Sequence, residues 1–147
     1  MIKTNRIQNW AIGAFRIVLG FLFLTHGAAT LFAVPASPAS GAVAEFGAWP
    51  GWFAAVIQLV GGAVVMLGVG TRVAALICSG SMAYAYFVVH QPAGLTPIGN
   101  GGELSALFCW AFLLVAAVGP GAFALGAWLR GLRSARTDTP AREHATA

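Results

Sequence analysis

The sequence is poor in charged residues. Only 8% of its 147 residues are Asp, Glu, Lys or Arg, whereas 59% are hydrophobic. A soluble domain carries about a quarter charged residues, so this chain lacks the polar surface needed to face water on every side. The scarcity of charge excludes an ordinary soluble domain and predicts that the lipid bilayer is the solvent of the chain.

Cysteine pairs, metal-ligand clusters and basic patches are also missing. Cys78 and Cys109 form no CxxC pair, and each lies in an apolar stretch where a thiol packs as a small hydrophobic group. No basic patch is interleaved with aromatic residues, which excludes nucleic acid as a partner. We predict no metal site. No nucleophile–base–orienter set can be assembled either, and whether the protein is an enzyme stays open.

Four apolar segments occupy most of the chain. Each is close to the roughly 17–25 residues that a helix needs to cross the hydrocarbon, and the alternating pattern of a membrane β-barrel is absent. Because a backbone in lipid must satisfy its hydrogen bonds internally, we predict an all-α, integral membrane four-helix bundle, with a single domain over residues 1–136. The predicted spans are 10–34, 49–69, 72–89 and 102–118, followed by an interfacial segment at 122–132 and a disordered cytoplasmic tail at 137–147. Small residues predicted to allow close helix packing include Gly13, Gly20, Gly61, Gly62 and Gly80.

Lysine and arginine are absent from two of the three connecting loops. AVPASPASGAVAEFGAWP and HQPAGLTPIGNGG contain neither, whereas both termini and the turn at Arg72 carry the positive charge. Loops rich in lysine and arginine stay in the cytoplasm. We therefore predict a multi-pass protein of the cytoplasmic membrane with both termini inside.

A few polar residues interrupt the apolar segments. Arg16 allows two interpretations: it snorkels to the cytoplasmic headgroups, or it turns into the bundle against Gln58, a carbonyl group or a bound anionic or quinoid group. The four-span topology places His26, His90 and Glu103 towards the external face, and titratable groups that converge at one depth favour a site. The candidate catalytic groups are Arg16, His26, His90 and Glu103, and the candidate cofactor-binding groups are Arg16 and Gln58.

Glu103 has a structural interpretation besides the functional one. The stretch from Asn100 to Glu103 has the spacing of a helix cap, with Asn100 at the N-cap and Glu103 at N3. A carboxylate near the start of a helix also gains about 0.3–1 kcal/mol from the helix dipole. Because His26 and His90 are expected on the same side of the membrane, we hypothesise that Glu103 handles protons as well.

Three stretches in a fixed order carry a family resemblance: FRIVLGFLFLTHG, GGAVVMLGVGTRVAAL and, after His90, NGGELSALFCWAFLLVAAVGPG. Over roughly residues 12 to 121 the chain resembles the DoxX family of small four-span membrane proteins. It departs from the family pattern at Thr30, near the place where a lysine is frequent.

The resemblance implies a subunit associated with membrane redox chemistry or oxidative-stress defence. Quinone is the implied cofactor, and the implied partners are redox enzymes or further copies of the chain, within the lipid bilayer. The alternative is a non-enzymatic membrane scaffold or small-molecule carrier, which the absence of redox ligands and cofactor motifs favours. Copurification of a quinone or a redox partner would distinguish the two.

Overall fold

A computed structural model describes residues 6–38, 40–129 and 131, and these residues contain helices and no strand. The long helices are α1 (Arg6–Phe32), α2 (Gly51–Leu67), α3 (Thr71–Tyr84) and α5 (Glu103–Val118), with a single-turn helix α4 (Pro97–Asn100) before the last. The prediction of an all-α helix bundle is confirmed.

Helix α3 does not end as an ordinary α-helix. It continues into a π-helical turn (Ala85–His90) and then a 3₁₀ turn (Gln91–Ala93). A π-helical turn widens the helix and rotates the following side chains, and such turns are frequent at functional sites. The sequence pattern did not indicate this turn, which carries His90 at its last position.

Helix α2 ends at a glycine in the left-handed conformation. Gly68 has φ of 77°, and its amide donates to the carbonyl oxygens of Val64 and Val65. Glycine adopts this conformation without the steric cost that a side chain would bring. The chain then turns within a few residues, so α2 and α3 are joined by a short connection.

The helices pack mainly in two pairs, α1 with α2 and α3 with α5. In the first pair the backbones are in direct contact: a Cβ atom added to Gly20 would lie 2.7 Å from the carbonyl oxygen of Gly62. The packing role predicted for these two glycines is therefore confirmed. Gly80 is different, because a Cβ atom there would meet nothing within 4 Å. The prediction for Gly80 is wrong, since no helix among the described residues packs against it.

Buried apolar side chains join the two pairs. Phe23 of α1 and Phe112 of α5 meet with ring centroids 4.6 Å apart in an edge-to-face arrangement. Around them the core contains Leu19, Val65, Ala75, Cys78, Met82, Phe108, Val115 and Ala116. Both Cys78 and Cys109 are free thiols.

Two helical stretches of the described chain, Arg6–Phe32 and Thr71–Ala93, are long and apolar enough to cross a membrane. Helices α2 and α5 are apolar but shorter, with 17 and 16 residues. The span bounds and the single domain therefore stay predictions. In the predicted interfacial segment Trp128 is exposed and Ala124 is buried, and the predicted tail at 137–147 lies outside the described residues.

The start of α5 differs from the predicted helix cap. Gly102 is the N-cap and Glu103 is the first helical residue, not the fourth position of a capping box. Asn100 instead ends α4: its side-chain oxygen accepts from the amide of Gly102 at 2.8 Å, and its side-chain nitrogen donates to the carbonyl of Gly94 at 2.8 Å. The capping prediction is wrong because Gly101 adopts a left-handed φ of 71° and turns the chain between the two helices.

Candidate functional site

A cavity of about 340 Å³ lies between the long helices, in the half of the bundle next to α4. We call it the inner cavity. It has three titratable or amide side chains at its wall, His26 from α1, Gln58 from α2 and His90 from the π-helical turn, together with Ser105 from α5. The apolar lining consists of Phe23, Ala54, Met82, Ala85, Leu104 and Phe108. Three of the five candidate residues are therefore brought to one cavity by three different elements.

Aromatic rings form one wall of the inner cavity. Phe108 lies 5.2 Å from Phe23 and 6.1 Å from the imidazole of His26, between ring centroids, and the contact with His26 is edge-to-face. Ligand pockets of proteins are mostly apolar and aromatic with a few polar groups that orient the ligand. The inner cavity has this composition, and its aromatic wall suits a flat ring.

His90 is oriented by the turn before α5. Its Nδ1 atom lies 3.3 Å from the carbonyl oxygen of Asn100. A carbonyl oxygen only accepts, so this hydrogen bond requires the proton on Nδ1. In the neutral imidazole that tautomer leaves Nε2 as a hydrogen-bond acceptor and proton acceptor. Gly102 maintains the arrangement, because an added Cβ atom there would lie 2.9 Å from the Cβ atom of His90.

Gln58 has a polar atom without a partner. Its Oε1 atom is buried and accepts no hydrogen bond from any part of the chain that the structure describes. A buried polar atom left unpaired costs about 1–3 kcal/mol. A bound molecule that supplies a polar partner to this amide would recover part of that cost. Gln58 is therefore a residue of the inner cavity that a polar ligand would stabilise.

Arg16 lies away from this cavity, towards the other end of the bundle. Its side chain is 0% exposed, and it donates to the carbonyl oxygens of Val65 (2.6 Å), Pro120 (2.8 Å) and Phe123 (3.1 Å). The carbonyls of Met66 and Ala122 accept from it as well. Of the two interpretations, the inward one with carbonyl partners is therefore the observed one, and Gln58 is not among these partners.

The arrangement around Arg16 has a simple electrostatic cause. The last carbonyl groups of a helix have no intrahelical partner and carry partial negative charge. The fork of donors on a guanidinium can satisfy several of them at once. Arg16 thereby joins the end of α2 to the chain that follows α5, which is the geometry of a structural residue.

Arg72 has a related position that sequence reasoning used only for orientation. It donates to the carbonyls of Ala116 and Val118 at the end of α5, at 3.3 and 3.4 Å. Arg16 and Arg72 therefore donate hydrogen bonds to the C-terminal ends of two different helices, α2 and α5. No sequence signal identifies these partners, because they lie 44 or more residues away along the chain.

Glu103 is exposed at the first position of α5 and does not line the inner cavity, although its neighbour Leu104 does. Its proposed proton handling stays a prediction. Within residues 6–38, 40–129 and 131, no group of three or more His, Cys, Asp or Glu side chains is placed to hold a metal ion.

The outer faces of the bundle are apolar. Large hydrophobic side chains such as Phe21, Leu76 and Leu107 are more than half exposed, which in water would be an extensive apolar surface. An all-α bundle of apolar helices with this surface is a membrane protein.

The comparisons with known proteins identify the family. The profile of the DoxX family matches residues 11–91. A curated protein of Haemophilus influenzae, described as an uncharacterized protein, is 38% identical over 128 residues, which are 85% of this chain and 95% of that protein. The chain belongs to the DoxX family. No solved structure matches the chain.

Proposed function

We propose that the protein binds the headgroup of a quinone in the inner cavity and works as a membrane subunit of redox or oxidative-stress metabolism. The observation that carries this proposal is the buried, unpaired oxygen of Gln58, a residue that lines the cavity together with two histidines and aromatic rings. A quinone offers a flat ring for the aromatic wall and oxygen atoms for the polar side chains.

The polar groups suit both redox forms of such a ring. Carbonyl oxygens of the oxidised form accept from N–H groups, which the amide of Gln58 and an imidazole supply. Hydroxyl groups of the reduced form donate to acceptors, which Nε2 of His90 and the oxygen of Gln58 supply. The volume of about 340 Å³ falls within the range of small-molecule pockets.

The test is a binding titration of a short-chain ubiquinone against the detergent-purified protein, followed by quenching of tryptophan fluorescence. Gln58→Leu removes the amide at nearly constant size and should weaken binding by about tenfold, equivalent to one lost hydrogen bond of about 1.4 kcal/mol. The matched control is Gln91→Leu, because Gln91 is exposed and does not line the inner cavity. Equal affinity of the wild type and Gln58→Leu would contradict the proposal.

The second candidate function is a non-enzymatic scaffold or small-molecule carrier. The observation that favours it is the structural role of Arg16, whose donors are all directed to backbone carbonyls. Purification from native membranes distinguishes the two candidates. A redox enzyme that copurifies together with quinone supports the subunit, whereas quinone without any redox partner supports the carrier.

We further propose a multi-pass topology in the cytoplasmic membrane with α1, α2, α3 and α5 as spans and both termini in the cytoplasm. The absence of lysine and arginine from the loops after α1 and α3 supports this orientation. The inner cavity then lies in the external half of the bundle, because its lining residues adjoin those two loops.

A further inference from the structure

A second cavity of about 730 Å³ lies beneath the loop between α1 and α2. We call it the loop chamber. Its lining residues include Thr25, Thr30, Ser37 and Ser40, with proline and alanine residues of the loop between them. The hydroxyl groups of Thr25, Thr30 and Ser40 donate to backbone carbonyls and keep acceptor capacity. The loop chamber exposes more polar surface than the inner cavity does.

The loop chamber and the inner cavity share three lining residues, His26, Ala54 and Gln58. The shared residues come from facing positions of α1 and α2, one of which, His26, is exposed. These shared residues form a wall common to the two cavities. A ligand in the inner cavity whose polar atoms contact His26 or Gln58 would thus lie next to side chains that also line the loop chamber.

The two cavities differ in how well they hold water. A confined water molecule needs about 2–4 polar partners, which threonine and serine hydroxyls and the exposed imidazole offer in the loop chamber. The inner cavity exposes less polar surface, and one of its walls is aromatic. A quinone ring dissolves in the bilayer and can arrive from there, but the hydroxyl protons of its reduced form exchange with bulk water only along a hydrated path.

We infer that the loop chamber is a hydrated entrance that carries water and protons from the loop side to the polar edge of a ligand in the inner cavity, with His26 as the proton-exchanging group at the junction. The inference rests on the proposed function for the identity of the ligand. The water path itself depends only on the two cavities and the side chains that they share.

The test measures access of water along α2. Single cysteines replace Ala54 and Gln58, which line both cavities, and matched controls replace Val56 and Val60, which line an apolar groove between α2 and α3. The proteins are placed in lipid nanodiscs and treated with a charged methanethiosulfonate reagent. The wild type, with Cys78 buried and Cys109 partly buried, gives the background rate.

Ala54→Cys and Gln58→Cys should react at least about tenfold faster than the two controls, because thiolate formation and a charged reagent both require water. Equal rates at all four positions would overturn the hydrated entrance.

If Ala54→Cys stays slow while the wild type binds quinone, the entrance is wrong and the proposed function survives. Fast reaction of Ala54→Cys that a short-chain ubiquinone slows supports both. Fast reaction that it does not slow supports the entrance and contradicts the quinone site.

Discussion

At the scale of single residues, the same residue types have different roles according to their partners. Arg16 is fully buried and donates to backbone carbonyls, whereas His26, Gln58 and His90 line the inner cavity. A buried cation in a membrane protein is stable only with such partners. Burial alone therefore does not identify a functional residue.

Arg16→Met replaces the guanidinium with a shorter, unbranched apolar side chain and should destabilise the protein by roughly 3 kcal/mol or more, because each orphaned buried carbonyl costs about 1–3 kcal/mol. The control is Arg72→Met. In the wild type Arg72 is exposed, and its two hydrogen bonds are long, at 3.3 and 3.4 Å. Thermal unfolding in detergent measures both. If the Arg16→Met variant is as stable as the Arg72→Met variant, Arg16 is not a structural residue.

Glu103→Gln tests the carboxylate that the sequence analysis favoured. The variant loses only the interaction of the charge with the dipole of α5, so the free energy of unfolding should fall by less than about 1 kcal/mol. Because Glu103 does not line the inner cavity, affinity for a short-chain ubiquinone should be unchanged. Thermal stability and the quinone titration measure these effects. Loss of complementation of a deletion strain under oxidative stress, with binding intact, would support proton handling by Glu103.

At the scale of elements, close packing of α1 against α2 positions two of the four polar residues of the cavity, His26 and Gln58. Backbone contact at Gly20 and Gly62 brings the helices together, and Gly27, next to His26, lies against Ala55 and Leu59 of α2. Small residues allow such approach in lipid, where van der Waals packing drives helix association. The distance between His26 and Gln58 is thus controlled by glycines elsewhere on the two helices.

Gly20→Ala should destabilise the protein and disturb the inner cavity, because the new Cβ atom would lie 2.7 Å from backbone atoms of Gly62 and Met66, which cannot move aside as a side chain could. Gly80→Ala is the matched control, as its Cβ atom meets nothing within 4 Å. Alanine there should raise stability by up to about 1 kcal/mol through helix propensity. The measurement is thermal unfolding of both variants, and a Gly20→Ala variant as stable as Gly80→Ala would refute the close contact.

At the scale of the whole molecule, the inner cavity lies where the two helix pairs meet. The pair α1–α2 supplies His26 and Gln58, and the continuation of α3 supplies His90. The pairs contact each other less extensively than the helices within each pair do. A site at such a junction can change its volume when one pair moves relative to the other, without breaking the packing inside either pair.

The topology of the molecule can be tested with cysteines at three positions. Ser40→Cys and Thr96→Cys, at exposed residues of the two loops without basic residues, should react with membrane-impermeant reagents added to intact cells. Ser134→Cys, in the part of the chain with C-terminal arginines, should react only after the membrane is opened. Labelling of Ser134→Cys in intact cells would mean that the orientation or the number of spans differs from the proposal.

The sequence by itself determined the helical class, the lipid environment and the family, because these depend on composition, run length and local motifs. It also identified His26, Gln58, His90 and Arg16 as polar residues in an apolar chain. Only the tertiary structure decided which of them meet. The π-helical turn carries His90 to the inner cavity, the turn at Gly101 leaves Glu103 outside it, and Arg16 finds carbonyls more than a hundred residues away. These outcomes depend on how whole helices pack, and local pattern contains no information about contacts between distant segments.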